Sequence, residues 1–491
     1  MYVYKRHGPG CGGTRNGRPS AVRLPATGSA MTAARRVAVY AGTFDPPAAH
    51  HRRIAERLAE ASDEVIVLPA GPRPDRPEAE SLPVHRAVMA DLNFRGLPKV
   101  RVDLGDLERG RFTPNREFAN RFGGPGVELS HVVPVAAATP AAPGRESRIQ
   151  TEWGDGRRLW KTAHFTVLHE PAEPVDAGLL PPRHAAIAVP PHATTAQIRA
   201  DLFDGVTAAG VLHPPVADYI KRHGLFRPTP PARECIVRVP APPKLRLVYD
   251  ERNDAALKLI GQLKPYECAD PEVVVAVGGD GTMLRAIRQH WRDRLPFYGL
   301  NTGHLGFLLN NRTPLAFWER DLRLYQLPLL WVELTAADGT VTESLAFNDC
   351  WVERETGQTA WVEVGVNGKT RMPRVVADGM LVATAAGSTS YARAMGASPL
   401  PFNAGVLTLA GSNVLKPEFW RPAVLPGDSA VTVTNLDPIK RPLQGFVDGV
   451  DMGRVAAMTA RVSNIAAVEL LFAPAHDPAA KLAMLQFPQP G

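Results

Sequence analysis

The run Gly278-Gly279-Asp280-Gly281-Thr282 follows an apolar β-branched stretch, Val273-Val274-Val275-Ala276-Val277, and leads into a helix-like segment from Met283 onward. A phosphate-binding bend needs that order of buried strand, tight turn and helix start. Glycines let the backbone approach phosphate oxygens, and the free N–H groups of the helix start supply donors and positive dipole. Thr282 can cap the helix. An anion beside phosphates costs energy unless it has a task, and one task for Asp280 is to accept the proton of an attacking hydroxyl. Gly and Asp also favour a plain strand-to-helix turn. The pentapeptide alone leaves the two readings level.

A second bend, Gly42-Thr43-Phe44-Asp45-Pro46, sits in a similar frame. Val37-Ala38-Val39-Tyr40 reads as a buried strand before it, His51 to Ala61 as a helix after it, and Val65-Ile66-Val67-Leu68 as a second strand. Between the two α/β beginnings lie Arg227-Pro228-Thr229-Pro230-Pro231-Ala232 and Pro240-Ala241-Pro242-Pro243. Proline at that density cannot continue a helix or a central strand, so it reads as a semi-rigid linker. From about Leu329 the texture alternates between short segments and the turn pairs Asp338-Gly339, Asn367-Gly368 and Asp448-Gly449. These are hairpin signals, because both turn positions favour positive φ. A mostly antiparallel β region is expected there.

The chain has 491 residues, too many for one ordinary core, so two or three domains are expected. Its 45% apolar and 21% charged residues match a soluble globular protein, and no apolar run approaches a membrane span. Four scattered cysteines, Cys11, Cys235, Cys268 and Cys350, offer neither a zinc pattern nor a disulfide framework, which fits a reducing cytoplasm. The net charge of +7 suits phosphorylated small molecules as well as nucleic acid, but no aromatic-plus-basic binding module appears. Part of the excess lies near the amino terminus in Lys5, Arg6, Arg15, Arg18, Arg23, Arg35 and Arg36. That stretch lacks the apolar core of a secretory signal and reads as a disordered basic tail, with Met31 a candidate start.

Further segments make the carboxy-terminal half resemble the NAD kinase family. Gly-Gly-Asp-Gly-Thr is shared by a superfamily of NAD kinases, lipid kinases and 6-phosphofructokinases. Gly299-Leu300-Asn301-Thr302-Gly303-His304-Leu305-Gly306-Phe307-Leu308, Phe347-Asn348-Asp349, Asp378-Gly379-Met380-Leu381-Val382-Ala383-Thr384 with Gly387-Ser388-Thr389-Ser390-Tyr391, and Phe446-Val447-Asp448-Gly449 resemble the NAD kinase branch and come in its order. The resemblance implies phosphorylation of the adenosine 2′-hydroxyl of NAD by ATP. Asp280 would be the general base; Gly278, Gly279, Gly281 and Thr282 would hold ATP phosphates, with Mg²⁺ offsetting their charge. The NAD site would comprise Asp280, Gly281, Arg285, Asn348, Asp349, Asp378, Thr389, Ser390, Tyr391, Ala392, Arg393 and Ala394. Each has a bland rival: Tyr391 as packing, Asn348 and Asp349 as a turn, Arg285 as a solvated face. The family usually has Glu where Asp349 stands, and Ala385-Ala386 replaces a Thr/Pro-rich pair. A lipid or sugar kinase using the same glycine turn is the alternative.

The amino-terminal half resembles nicotinate-nucleotide adenylyltransferases, through Gly42-Thr43-Phe44-Asp45-Pro46-Pro47, Thr194-Thr195-Ala196-Gln197-Ile198-Arg199 and the closing segments Val216-Ala217-Asp218-Tyr219-Ile220 and His223-Gly224-Leu225-Phe226. The resemblance implies a nucleotide site at Gly42, Thr43, Phe44, His51, Thr194, Thr195 and Arg199. That family carries His-x-Gly-His where this chain reads Ala48-Ala49-His50-His51, so the fold is expected with weak or absent activity; a bifunctional enzyme or a non-catalytic nucleotide-binding module are the two ends of that range. The architecture expected is α/β throughout: a tail over 1–33, a Rossmann-like nucleotidyltransferase-type domain over 34–227, a linker over 228–244, a small α/β kinase part over 245–328, a β part over 329–460, and a segment over 461–491 returning to the α/β part. NAD and ATP are the expected partners, with no nucleic acid, no membrane and no protein-held metal, in a cytoplasmic homo-oligomer.

Overall fold

The computed structural model describes residues 4–5, 34–72, 81–140, 142, 144–172, 176–206, 210–227, 235–303, 306–311 and 315–487. The chain divides into two compact units, one of Gly12–Pro231 and one of Ala232–Gly491 together with Met1–Cys11. Among the described residues no helix is long and apolar enough to cross a membrane.

In the first unit, strands β1 (Arg35–Gly42), β2 (Glu64–Pro69), β3 (Val100–Val102), β4 (Val127–Pro134), β5 (His164–His169) and β6 (His184–Ala188) form one sheet in the order β3-β2-β1-β4-β5-β6. Every pairing is parallel. Val37, Ala38, Val39 and Tyr40 are all buried, as a strand covered on both faces requires, so β1 reads as a continuous apolar run rather than an alternation. The strand order reverses between β1 and β4, and the crevice outside the carboxyl ends at such a point is where doubly wound sheets take ligands. Helix α1 (Ala49–Ala61) begins two residues earlier than expected, and α2 (Pro83–Phe94), α3 (Thr195–Phe203) and α4 (Pro214–His223) follow.

In the second unit, β7 (Cys235–Val237) pairs antiparallel with the start of β11 (Leu322–Thr335). Residues 235–237 of the expected linker are therefore a strand: one backbone edge of β11 was open, and Cys235-Ile236-Val237 is the apolar stretch able to fill it. Residues 228–234 lie outside the described residues. The parallel part is β8 (Leu245–Tyr249), β9 (Val273–Gly278) and β10 (Phe297–Asn301), with α5 (Asp254–Leu263) and α6 (Asp280–His290) as crossovers. The hairpin β11–β12 (Val341–Ala346) leads to β13 (Asp349–Arg354), β14 (Ala360–Val366), β15 (Lys369–Ala377), β16 (Gly379–Thr384), β17 (Val406–Ser412), β18 (Ala423–Pro426), β19 (Val431–Asn435), β20 (Leu443–Val447) and β21 (Val450–Val455). One antiparallel sheet runs β18-β17-β16-β13-β20-β21.

Two long strands join the α/β and β parts. β22 (Ala457–Phe472) pairs with β19 over Ala457–Ala460 and, further on, in parallel with β10 through Leu470 and Leu471. β11 runs antiparallel beside it for its whole length, with a register shift between Pro328 and Leu330. The expected part boundaries at 329 and 461 fall inside these two strands, because a strand can serve one sheet at each end without a loop between. The hairpin at Asn367-Gly368 and that at Asp448-Gly449 have positive φ at both positions; at Asp338-Gly339 only Gly339 does, since that loop is longer and Asp338 instead accepts from the Thr340 amide. Of the expected tail, Tyr4–Lys5 pairs with Thr342 and Glu343, and the rest lies outside the described residues. Three cysteines, Cys235, Cys268 and Cys350, are free among those described.

Asn310, 1% exposed, ties these layers. Its Nδ2 donates to the carbonyls of Gly299 and Leu471 at 3.1 Å each, and its Oδ1 accepts from the Ala473 amide at 2.8 Å. Asn310→Leu strands buried backbone partners that water cannot reach, so it is expected to lower stability by about 2–4 kcal/mol, read by urea unfolding of the full chain.

Candidate active site

The glycine turn closes β9 and opens α6. Gly279 is the N-cap and Asp280 the first helical residue, so Thr282 stands inside the helix and does not cap it. Its hydroxyl instead packs on Gly278, where a Cβ would lie 2.2 Å from Oγ1; that glycine is required by the turn's own packing. Gly279 and Gly281 differ, since a Cβ on either meets nothing within 4 Å. Among the described residues the amides of Gly279, Asp280 and Gly281 donate no hydrogen bond. Open space over unpaired helix-start N–H groups is what an anionic ligand uses.

The Asp280 carboxylate is half-buried and fixed in direction. Oδ2 accepts from the Phe307 amide and Oδ1 from the Leu308 amide, both at 2.9 Å. Each oxygen keeps a second lone pair. The neighbouring backbone is held by Asn301, whose Oδ1 accepts from the Gly303 amide, and by the Thr302 amide on the Gly278 carbonyl. Gly306 has φ +56°, and a Cβ there would strike the Asn301 amide group. Arg285 is exposed and donates to the carbonyl of Tyr249 at the end of β8, so in this structure it braces the α/β part.

Phe347, Asn348 and Asp349 are presented by one half-buried residue's carboxylate. Asp448, in the β20–β21 turn, accepts from the amides of Phe347 at 2.7 Å, Asn348 at 2.8 Å and Asp349 at 3.3 Å. Arg288 of α6 donates to the Asp448 carbonyl at 2.9 Å, which links this turn to the helix that carries Asp280. On the other side Thr384 binds the carbonyls of Phe347 and Asn348 through Oγ1, and Gly387 passes so close that a Cβ would lie 2.1 Å from the Asn348 carbonyl. The backbone being satisfied, the side chains are not. Asn348 Oδ1 and Asp349 Oδ2 are buried without a hydrogen-bond partner. Burial, helped by the Asp448 charge, pushes the Asp349 carboxyl up to about 7.

Residues 386–394 fold as a short 3-10 turn, Ala386–Thr389, and a single helical turn, Tyr391–Ala394. Tyr391 lies edge-on to Trp351 at 5.1 Å, and burial with the charges of Glu353, Asp349 and Asp378 raises its pKa. It therefore feels the charges of two of the expected carboxylates, Asp349 and Asp378. Ala392 is buried, whereas Ser390, Arg393 and Ala394 are exposed and Thr389 is half-buried. Asp378 lies at the opposite end of β16 from Thr384, with Arg354 at 2.5 Å and Asn413 at 2.8 Å; the Asn413 hydrogen bond and the Arg354 charge hold it below the usual carboxylate range. The structure thus groups Asn348, Asp349 and the 384–391 segment, and sets Asp378 about five strand residues, roughly 17 Å, along the sheet.

Asp448 was legible as a hairpin residue, yet nothing local announced that its carboxylate would serve three amides. Lys481 of α7 (Pro478–Gln486) carried no sequence signal at all. It is 9% exposed and donates to the carbonyls of Gly306 and Leu309.

In the first unit, Phe44 has φ +47° and packs edge-on against His51, whose Nδ1 accepts from the Ala48 amide at 2.9 Å. His51 is thereby engaged in the bend itself, and Ala48 is fully buried. His50 stacks on His192 at 4.0 Å and lines a cavity of about 270 Å³ with Arg53 and Val189. Burial, then the charges of His192 and Arg53, lower the His50 pKa to about 3. Thr194 caps α3 by accepting from the Gln197 amide, and Thr195 is its first residue. Arg199 pairs with the fully buried Asp45 at 2.8 Å, and Arg86 donates to the Thr43 carbonyl. These residues gather around the carboxyl end of β1 beyond Gly42.

Comparison with known proteins bears on the second unit. The family described as the ATP-NAD kinase N-terminal domain matches residues 245–318. An NAD kinase of Zymomonas mobilis is 36% identical over 236 residues, which cover 47% of this chain and 90% of that protein. One of Hyphomonas neptunium is 32% identical over 234 residues, 46% of this chain and 92% of its own. One of Rickettsia bellii is 33% identical over 239 residues, covering 48% and 93%.

Asp349 makes stability pH-dependent in a definite direction. Its carboxyl is raised from 3.8 to about 7, so the fold favours the protonated form. That contribution is complete below about pH 4 and is lost as pH rises to about 7. Asp349→Asn is expected to be more stable than the parent at about pH 8, by on the order of 2–4 kcal/mol, with the gain gone near pH 4 in urea unfolding.

Proposed function

The carboxy-terminal unit makes this chain a member of the NAD kinase family, and from that premise we infer how its residues phosphorylate NAD. The reading is a transfer of the γ-phosphoryl group of ATP to the 2′-hydroxyl of the adenosine ribose of NAD, giving NADP and ADP. The observation that carries it is the pairing of unpaired, open helix-start amides at Gly279–Gly281 with a carboxylate whose direction is fixed by two backbone amides.

In this reading Gly279 and Gly281 take phosphate oxygens of ATP on the amino end of α6, with Thr282 and Gly278 holding the turn's shape. Asp280 accepts the 2′-hydroxyl proton on a free lone pair as the sugar oxygen bonds to the γ-phosphorus and the bond to the β-phosphate oxygen breaks. Asn348 Oδ1 and Asp349 Oδ2, buried without partners, accept from sugar hydroxyls of NAD, which would repay their desolvation. Tyr391 offers its ring to the dinucleotide beside them. Mg²⁺ would come with the ATP phosphates in this reading, and the Asp280 carboxylate, an oxygen donor of the type Mg²⁺ takes, would be the nearby protein group. Bound there, Mg²⁺ would offset phosphate charge. The lipid or sugar kinase alternative is not favoured, since the relatives are NAD kinases matched over about 90% of their length.

For the first unit the proposal is an adenylyltransferase-like domain that has kept the fold and lost most of the rate. The parallel order β3-β2-β1-β4-β5-β6 and the residues around Gly42 support the fold. Ala48 supplies no imidazole, His50 fills space where a glycine would leave room, and His51 has its Nδ1 on the Ala48 amide.

Asp280→Asn is expected to lower the rate of NADP formation from NAD and ATP by about 10²–10⁴-fold, in a coupled assay on the full chain. Given nicotinate mononucleotide and ATP, the full chain is expected to form dinucleotide at least about 10²-fold more slowly than it phosphorylates NAD. Comparable rates would show the first unit to be a working transferase.

A further inference from the structure

The four residues Gly306–Leu309 are gripped from two sides by opposite charges. Their inner amides, on Phe307 and Leu308, donate to the Asp280 carboxylate. Their outer carbonyls, on Gly306 and Leu309, accept from Lys481 Nζ at 2.5 Å and 2.9 Å. Lys481 arrives from α7, near the other end of the unit's sequence, and its ammonium is buried where desolvation is costly. A lysine whose only purpose was to cover the surface would keep its head in water. Here the head is spent on two carbonyls that flank the amides holding Asp280.

We propose that Lys481 is a positioning residue for phosphoryl transfer: by holding the Gly306 and Leu309 carbonyls it keeps the Phe307 and Leu308 amides on Asp280 and so fixes where that carboxylate's free lone pairs point. This rests on reading Asp280 as the acceptor of the 2′-hydroxyl proton. Loss of the grip leaves the carboxylate in place but lets its plane turn, and a base misdirected by about 1 Å costs on the order of 10²-fold. Asn348 and Asp349, the NAD-binding residues in this reading, lie outside this segment, so the loss is expected to fall mainly on kcat.

The surrounding charges give a second signature. Burial lowers the Lys481 pKa to about 8, and the Asp280 carboxylate opposes that fall. His476, in the turn before α7, is held neutral by burial with a pKa near 3, so its ring does not titrate in the same range; Asp477 and Arg323 are the other charges facing that ring. The ammonium is therefore lost as pH rises through about 8. Arginine keeps its charge throughout.

The test is steady-state NAD phosphorylation by the full chain and by Lys481→Met and Lys481→Arg across pH, with hydrogen exchange at the Phe307 and Leu308 amides. Lys481→Met is expected to lower kcat by roughly 10- to 100-fold with KM for NAD changed less than about threefold, and to speed exchange at both amides. Lys481→Arg should recover most of kcat and move the alkaline limb, near pH 8 in the parent, upward. Unchanged kcat in Lys481→Met, or equal loss in both variants with the limb unmoved, overturns the proposal. Were Lys481→Met not to fold, the pH profile and amide exchange of Lys481→Arg decide it. An absence of NAD phosphorylation by the parent chain would instead sink the reading of Asp280, and amide exchange would still report whether Lys481 holds the segment.

Discussion

The arrangement of the candidate active site depends on the carboxylate of Asp448, a half-buried residue. Three consecutive amides, of Phe347, Asn348 and Asp349, converge on its two oxygens, and the turn that carries it is bonded to α6 through Arg288. With the backbone satisfied in this way, two polar side-chain atoms, Asn348 Oδ1 and Asp349 Oδ2, are left buried and unpaired. Such groups are costly in an empty fold. They persist because the strands β13, β16 and β20 overdetermine the backbone that bears them.

The same logic holds on the α/β side. Asp280 could lie in many directions from the first turn of a helix, and two amides from a distant loop choose one. That loop is placed by Asn301, by the absence of a Cβ at Gly306, and by Asn310 beneath it, which reaches across to β22. Hydrogen bonds between side chains and backbone link the β part to the glycine turn. β11 and β22 supply the continuity, since each serves the α/β sheet at one end and the β part at the other.

In the first unit the chemistry points the other way. His51 is spent on a local amide, His50 is stacked against His192 and kept neutral, and Arg199 is paired with the buried Asp45. Part of the polar capacity around this bend is thus engaged within the protein. A doubly wound sheet tolerates this, because its stability comes from strands such as Val37–Tyr40 and not from the loops at their carboxyl ends.

What could be read in the sequence were features with local causes. Consecutive β-branched residues gave the buried parallel strands; Asn367-Gly368 and Asp448-Gly449 gave hairpins through positive φ; the glycines around Asp280 gave a strand-to-helix bend with room above it. The expected grouping of Asn348 and Asp349 with Asp378 and Thr389–Ala394 rested on resemblance; in the fold Asp349 pairs with Ala383, on the strand that leads into residues 386–394. Tertiary structure alone decided the rest: that residues 235–237 would serve as an edge strand, that Asp378 would lie at the far end of β16, that Thr282 would pack and not cap, and that Lys481 would reach Gly306 and Leu309. Each depends on partners distant in the chain, and no propensity or spacing encodes which buried charge a remote carbonyl will meet.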